Sequence, residues 1–179
     1  MSAPARARRA ALEARERAIL EAAAEVFAEA GWEGARMAEI GRRAGISEGA
    51  VYLHFRGKAE LLAALAARFW EDLEAEARAA VAAEAGAGAK LRALAAFHLA
   101  AVAERLDYMR LALRLPEETE SAAGRAWRRR YVAVFDEIAG AARAAGEWGE
   151  APPTWVLRDV FYGALGYAAR SVRLRPGRA

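Results

Sequence analysis

Strong helix formers dominate this chain from end to end. Alanine alone makes up more than a quarter of the residues, and arginine, leucine and glutamate supply nearly half of the rest. These residue types favour helix. Val, Ile and Thr are sparse, so the β-branched runs that stabilise strands are missing. The sequence therefore predicts an all-α fold, with glycines as its main punctuation. At 179 residues it can hold one large domain, or two small ones sharing a helix, with a real hydrophobic core.

The apolar spacing predicts where the helices lie. Ile19, Leu20, Ala23, Val26, Phe27 and Ala30 place a helix over 13–30, stopped by Gly31. Short helices follow over 37–44 and 47–55, broken at Gly45 and Gly57, then a long one over 58–83 carrying Leu61, Leu62, Leu65, Phe69 and Leu73. Gly86-Ala87-Gly88 reads as a linker. Further helices are expected over 90–105, 106–114, 122–145 and 154–172, about nine in all. The domain reading is a flexible basic arm (1–12), a three-helix helix-turn-helix domain (13–57), a connecting helix (58–85), a ligand-binding and dimerisation bundle (86–174) and a tail (175–179).

Composition excludes several function classes. The chain has no cysteine, which removes disulfides, thiolate nucleophiles and cysteine metal sites. Its two histidines, His54 and His98, share no metal-ligand spacing. Serines are few, and neither a histidine–carboxylate constellation nor a phosphate loop is present, so no catalytic residue, metal or cofactor is expected. No apolar h-region or membrane span is visible, which predicts a cytoplasmic protein. Asn and Gln are absent and lysine is nearly replaced by arginine. A thermophilic origin or a GC-rich genome would each produce that bias. The net charge of +3 permits nucleic-acid binding without specifying it. Arg6, Arg8, Arg9, Arg15 and Arg17 crowd the start. They form either an arm that follows a DNA backbone or minor groove or a frayed, solvated terminus.

Residues 35–61, ARMAEIGRRAGISEGAVYLHFRGKAEL, carry the functional signal. Two short helices meet at Gly45-Ile46-Ser47. Gly45 supplies the backbone freedom for the turn, and Ser47 is a good N-cap. Ile40, Ala44, Ile46, Val51 and Phe55 form a wedge that fixes the interhelix angle. Glu48, Gly49, Ala50, Tyr52, Leu53 and His54 are left to meet a ligand, with Gly49 and Ala50 small enough for a major groove. Lys58 opens the next helix, where N–H groups and the dipole favour a phosphate.

In these positions the sequence resembles the TetR family of bacterial repressors. The shared features run from Ile19 to Leu62: Ala30-Gly31-Trp32, then Ile40…Ala44-Gly45-Ile46-Ser47, then Gly49…Tyr52-Leu53-His54-Phe55…Lys58…Leu61. The resemblance implies an all-α homodimer with an effector-binding C-terminal domain. It implies DNA contacts by Arg36, Met37, Ala38 and Ser47, base-edge contacts by Glu48, Gly49 and Ala50, and phosphate contacts by Tyr52, His54 and Lys58, with Leu53 on the same face. The chain departs from the family at Ala35-Arg36, where a capping Thr or Ser is usual, and at Gly41, where alanine is common and glycine should loosen the helix by up to about 1 kcal/mol.

Farther on, Leu157, Phe161, Leu165 and Ala168 form one apolar stripe of the last helix and Val156, Val160, Gly163 and Tyr167 a second. A surface helix needs one. The second, with Val132, Phe135 and Ile138 on the preceding helix, predicts a dimer interface built as a four-helix bundle. Phe97, His98, Leu106, Tyr108, Met109, Leu113, Trp127, Tyr131 and Tyr162 are candidates for an apolar effector cavity, and each is equally readable as ordinary core. The expected partners are double-stranded DNA with a palindromic operator, a second copy of the chain and a small-molecule effector, with no membrane. The expected function is a repressor released by a small apolar or amphipathic effector. The alternative is a helical adaptor for other proteins.

Overall fold

The computed structural model describes residues 3–104, 121–149 and 152–173. The described residues form seven helices and no strand: α1 (Ala3–Gly34), α2 (Met37–Arg43), α3 (Glu48–His54), α4 (Lys58–Ala82), α5 (Ala87–Glu104), α6 (Ala122–Ala144) and α7 (Thr154–Arg173). The expected helix over 106–114 lies outside the described residues, and the described residues hold seven helices against the expected nine or so for the chain. Two compact units divide the chain between Ala66 and Ala67. The first therefore reaches past residue 57 and includes the opening turns of α4.

In the N-terminal unit, α1 begins at Ala3, so the basic segment expected to be a flexible arm is helical. Its Ala/Arg composition carries high helix propensity, and Arg9 Nε donates to Glu13 Oε1 at 2.8 Å, one turn on. Gly31 interrupts α1 where the sequence predicts, with φ 66° and ψ −178°. Trp32 then folds back and stacks on Phe27, with ring centroids 5.7 Å apart. Ile19, Ala23, Ile40, Val51 and Leu61 are fully buried, which makes a core shared by all four helices. Burying each large aliphatic side chain contributes roughly 1.5–3 kcal/mol.

Arg43 ties α1 to α2. Its guanidinium donates to both carboxylate oxygens of Glu29, at 2.8 Å to Oε1, and to Glu39 Oε1 at 3.0 Å, with Glu25 at 3.5 Å. Arg42 grips Glu39 as well. Hydrogen bonds from Arg42 and Arg43 hold the Glu39 carboxyl down at about 2.

The second unit holds the rest of α4 with α5, α6 and α7. Gly86 (φ 76°) is the break. The other two linker glycine and alanine residues already belong to α5, whose first N–H, on Ala87, donates to Glu147 Oε2 at 3.3 Å. Phe69, Leu73, Leu94, Tyr131, Val134 and Phe135 build the core. Phe135 (3 % exposed) and Ile138 (6 %) lie in it. They were expected at a dimer interface, but α6 turns its strongest apolar stripe into its own unit. Leu157 and Phe161 of α7 pack against that core. Val160 and Tyr167 of the second stripe of α7 are 63 and 69 % exposed, and Trp155 in its first turn is 60 % exposed.

Candidate nucleic-acid interface

The turn between α2 and α3 is built from the backbone outward. Gly45 adopts φ +70°. Its N–H donates to Arg42 O at 3.3 Å, and the Ile46 N–H donates to Gly41 O at 2.9 Å. This pair of bonds is a Schellman closure, which satisfies the last carbonyls of α2. Ser47 then caps α3, its Oγ accepting from the Ala50 N–H at 3.2 Å. Gly41 proves to be structural rather than a weakness. A Cβ there would lie 3.0 Å from Ile46 O, 3.2 Å from Glu48 N and 3.2 Å from Val51 Cγ2. The two helices cross at the distance that this missing side chain allows. At the start of α2, Arg36 has extended backbone and its side chain makes no capping bond.

This frame turns one face of α3 outward. Ser47, Glu48 and Gly49 are exposed and Ala50 is half-buried. Tyr52 is 48 % exposed and Leu53 87 %. Among the described residues no atom lies within 4 Å of where a Gly49 Cβ would stand, so none of them requires its smallness. Arg36 and Ala38 on α2 are exposed too. Met37 is not: it is buried and packs inward from the first turn of α2, which corrects the expectation that it touches DNA.

Two expected contacts have partners within the chain. Lys58 Nζ donates to Trp32 O at 2.7 Å and sits 5.0 Å from the centre of the indole ring. His54, its side chain only 10 % exposed, directs Nδ1 toward Glu16 Oε1 at 3.6 Å. Arg56, which the sequence reading passed over, is exposed just beyond α3. Its backbone N–H donates to Glu60 Oε2 at 2.6 Å.

Of the expected effector-site residues, His98, Tyr131 and Tyr162 are brought together. His98 Nδ1 and the Tyr131 hydroxyl lie 2.6 Å apart, and Tyr162 donates to Tyr131 O at 3.4 Å. Burial holds the His98 pKa below its ordinary value and pushes both phenols up. Phe97 and Trp127 pack at the edge of this core. Leu106, Tyr108, Met109 and Leu113 lie outside the described residues. A cavity of about 380 Å³ opens elsewhere in the unit, where Arg78, Val81, Lys90, Val134, Glu137 and Ile138 meet. Sequence periodicity had no signal for it, because its wall joins the ends of three helices.

Residues 19–65 match the family model described as bacterial regulatory proteins, tetR family. Over this N-terminal segment, about a quarter of its length, the chain is similar to the TetR family. A relative from Pseudomonas putida, the uncharacterized HTH-type transcriptional regulator TtgW, is 46 % identical over 70 residues, 38 % of this chain and 52 % of its own length. The match thus spans only about half of this relative's length. Two solved structures share the fold along most of the chain. The transcriptional regulator FadR from Bacillus subtilis, in complex with stearoyl-CoA, has a TM-score of 0.77 at 22 % identity, covering 91 % of this chain and 89 % of FadR. AibR, in complex with isovaleryl coenzyme A and operator DNA, has a TM-score of 0.67 at 27 % identity, with 87 % and 86 % covered.

Proposed function

We propose that this protein is a ligand-responsive transcriptional regulator of the TetR type acting in the cytoplasm: a homodimeric repressor that leaves a palindromic operator when an effector binds its second unit. The outward face of α3 carries this reading. Gly49, Tyr52 and Leu53 are presented outward by the turn, and no described residue requires the smallness of Gly49 or covers Leu53. Ser47, Tyr52 and Arg36 reach phosphates in this reading. Lys58 uses one of its three donors on Trp32 and keeps the others for a phosphate. His54 serves through its contact with α1 at Glu16.

The second stripe of α7 supports self-association. Val156 and Val132 are half-buried beside the exposed Val160 and Tyr167. Gly163 and Gly166 lie in mid-helix, and among the described residues no atom outside their own helical turns lies within 4 Å of a would-be Cβ, where glycine costs about 1 kcal/mol relative to alanine. A second copy approaching closely accounts for both observations. Two heads held about 34–36 Å apart would enter successive major grooves. An effector that favours another spacing shifts the population off DNA.

An acyl thioester is the effector class to test first, since stearoyl-CoA and isovaleryl coenzyme A occupy FadR and AibR. The test is fluorescence anisotropy on fragments of the protein's own promoter region, with the dimer verified by light scattering. Tight, salt-sensitive binding to one fragment, relieved by an acyl-CoA, supports the proposal. Equal affinity for every fragment and for random DNA overturns it. The composition further supports heat adaptation, so the melting midpoint should exceed the mesophile range of about 45–65 °C.

A further inference from the structure

We propose that α3 reads its half-site through pyrimidine features: thymine methyl groups against Leu53 and Ala50, and one cytosine amino group on Glu48. This rests on the DNA-reading role proposed above and specifies its chemistry.

The argument begins with what the chain lacks. It has no Asn and no Gln, so the two-bond contact that those amides make with adenine is unavailable. Residues 48–54, EGAVYLH, include no Arg or Lys, so α3 cannot place a cationic fork on guanine N7 and O6. What it does present is a carboxylate, a glycine, a half-buried alanine methyl, a phenol and a leucine.

Leu53 is 87 % exposed, more than any other large apolar side chain among the described residues. Gly49 stands one turn earlier on the same side of the helix, with open space where its Cβ would be. Together they make an apolar tip beside a strip that base edges can approach closely. The polar edge groups of the major groove lose their water without recompense against a leucine. The thymine C5-methyl is the group that gains from the contact.

Glu48 is exposed in the first turn of α3. As a carboxylate it only accepts hydrogen bonds. Adenine offers its amino group next to the N7 acceptor, which repels a carboxylate. Cytosine N4 has no acceptor beside it on the groove edge, so cytosine is the base that fits Glu48. The exposed Arg36 and Arg56 flank this face from α2 and from the end of α3. Any guanine contact would have to come from a cation outside α3, such as Arg56.

The experiment uses the full-length protein. A preferred site is first selected from random duplexes at fixed salt. Each thymine of a half-site is then replaced by deoxyuridine, which deletes a single methyl group. Affinities are measured for the wild type, Leu53→Ala and Glu48→Gln. Removing one methyl at the contacted position should weaken the wild type about fourfold, and Leu53→Ala should be nearly indifferent to the same change. Glu48→Gln should move the preferred base at one position from cytosine to adenine. Leu53 is exposed, so its replacement spares the fold, and an unchanged salt slope verifies that the phosphate contacts survive. Deoxyuridine without effect at every position, or with the same effect on Leu53→Ala, overturns the proposal while leaving DNA reading intact. Selection that yields no preferred site overturns DNA reading itself, and this proposal with it. The two failures are therefore distinct.

Discussion

Replacing Gly45 with alanine isolates the cost of one backbone conformation in the reading head. Gly45 holds φ +70°, a region that costs a residue with a Cβ roughly 1–2 kcal/mol. No atom lies within 4 Å of the new Cβ, so steric collision adds nothing. Alanine also restricts the unfolded chain, which offsets about 0.4–1 kcal/mol. The net loss should be near 1 kcal/mol. That corresponds to a fall in melting temperature of about 4–8 °C if the N-terminal unit melts alone, or about 2–4 °C if the whole chain melts together. Urea denaturation followed by circular dichroism gives the free energy, and calorimetry gives the temperature. Gly45→Asn should lose less than Gly45→Ala, because asparagine tolerates the left-handed region better. Equal losses for the two variants, or an alanine cost above about 3 kcal/mol, would refute the reasoning by showing that something other than backbone strain is lost.

Tyr131→Phe removes the hydroxyl 2.6 Å from His98 Nδ1 and strands a buried polar atom. It should cost about 1–3 kcal/mol in urea denaturation at neutral pH, and the double variant with His98→Phe should cost less than the two single losses added. Burial depresses the His98 pKa in the fold, whereas the unfolded chain binds that proton near its ordinary value of about 6.5. Stability should therefore be complete above that pH and decline as pH falls below it; His98→Phe should flatten the decline measured between wild type and variant. Arg43→Ala should lower the urea midpoint more than Arg42→Ala, since Arg43 joins α1 to α2 and Arg42 reaches only its own helix. With the Glu39 carboxyl held at about 2, its contribution should persist until the pH falls well below 4, so a gap between wild type and Arg43→Ala that vanished already at pH 5 would contradict the assignment.

The parts of the fold written in local chemistry were legible beforehand. Gly31, Gly45 and the Ser47 cap act within one turn of the chain, and the structure places each where the spacing predicts. Residues whose role depends on which face meets which neighbour were not legible. Phe135 and Ile138 belong to an apolar stripe, and a stripe does not announce whether its own core or a second copy will cover it. Met37 begins a helix too short to show its phase. The first dozen residues carry helix propensity but no apolar period, so they read as an arm. Gly41 looked like a loose position because the atoms that require it, Ile46 O and Glu48 N, come from the far side of the turn. The clasp around Arg43 joins residues up to eighteen positions apart, and sequence spacing carries no trace of it.

That clasp has a physiological consequence. Arg42 and Arg43 face carboxylates of their own chain, and Lys58 leans on a backbone carbonyl. Arg42 and Arg43, already paired with carboxylates, would displace few potassium ions from a duplex, whereas Lys58 keeps its full charge against a neutral carbonyl, so DNA binding would rely less on counterion release than the count of basic residues implies. A cell that loads its interior with potassium to survive drought or brine dislodges a purely ionic regulator from its genes. If the chain binds DNA as proposed, its affinity should still fall with added potassium, through Arg36, Arg56 and Lys58, but less steeply than its arginine count implies.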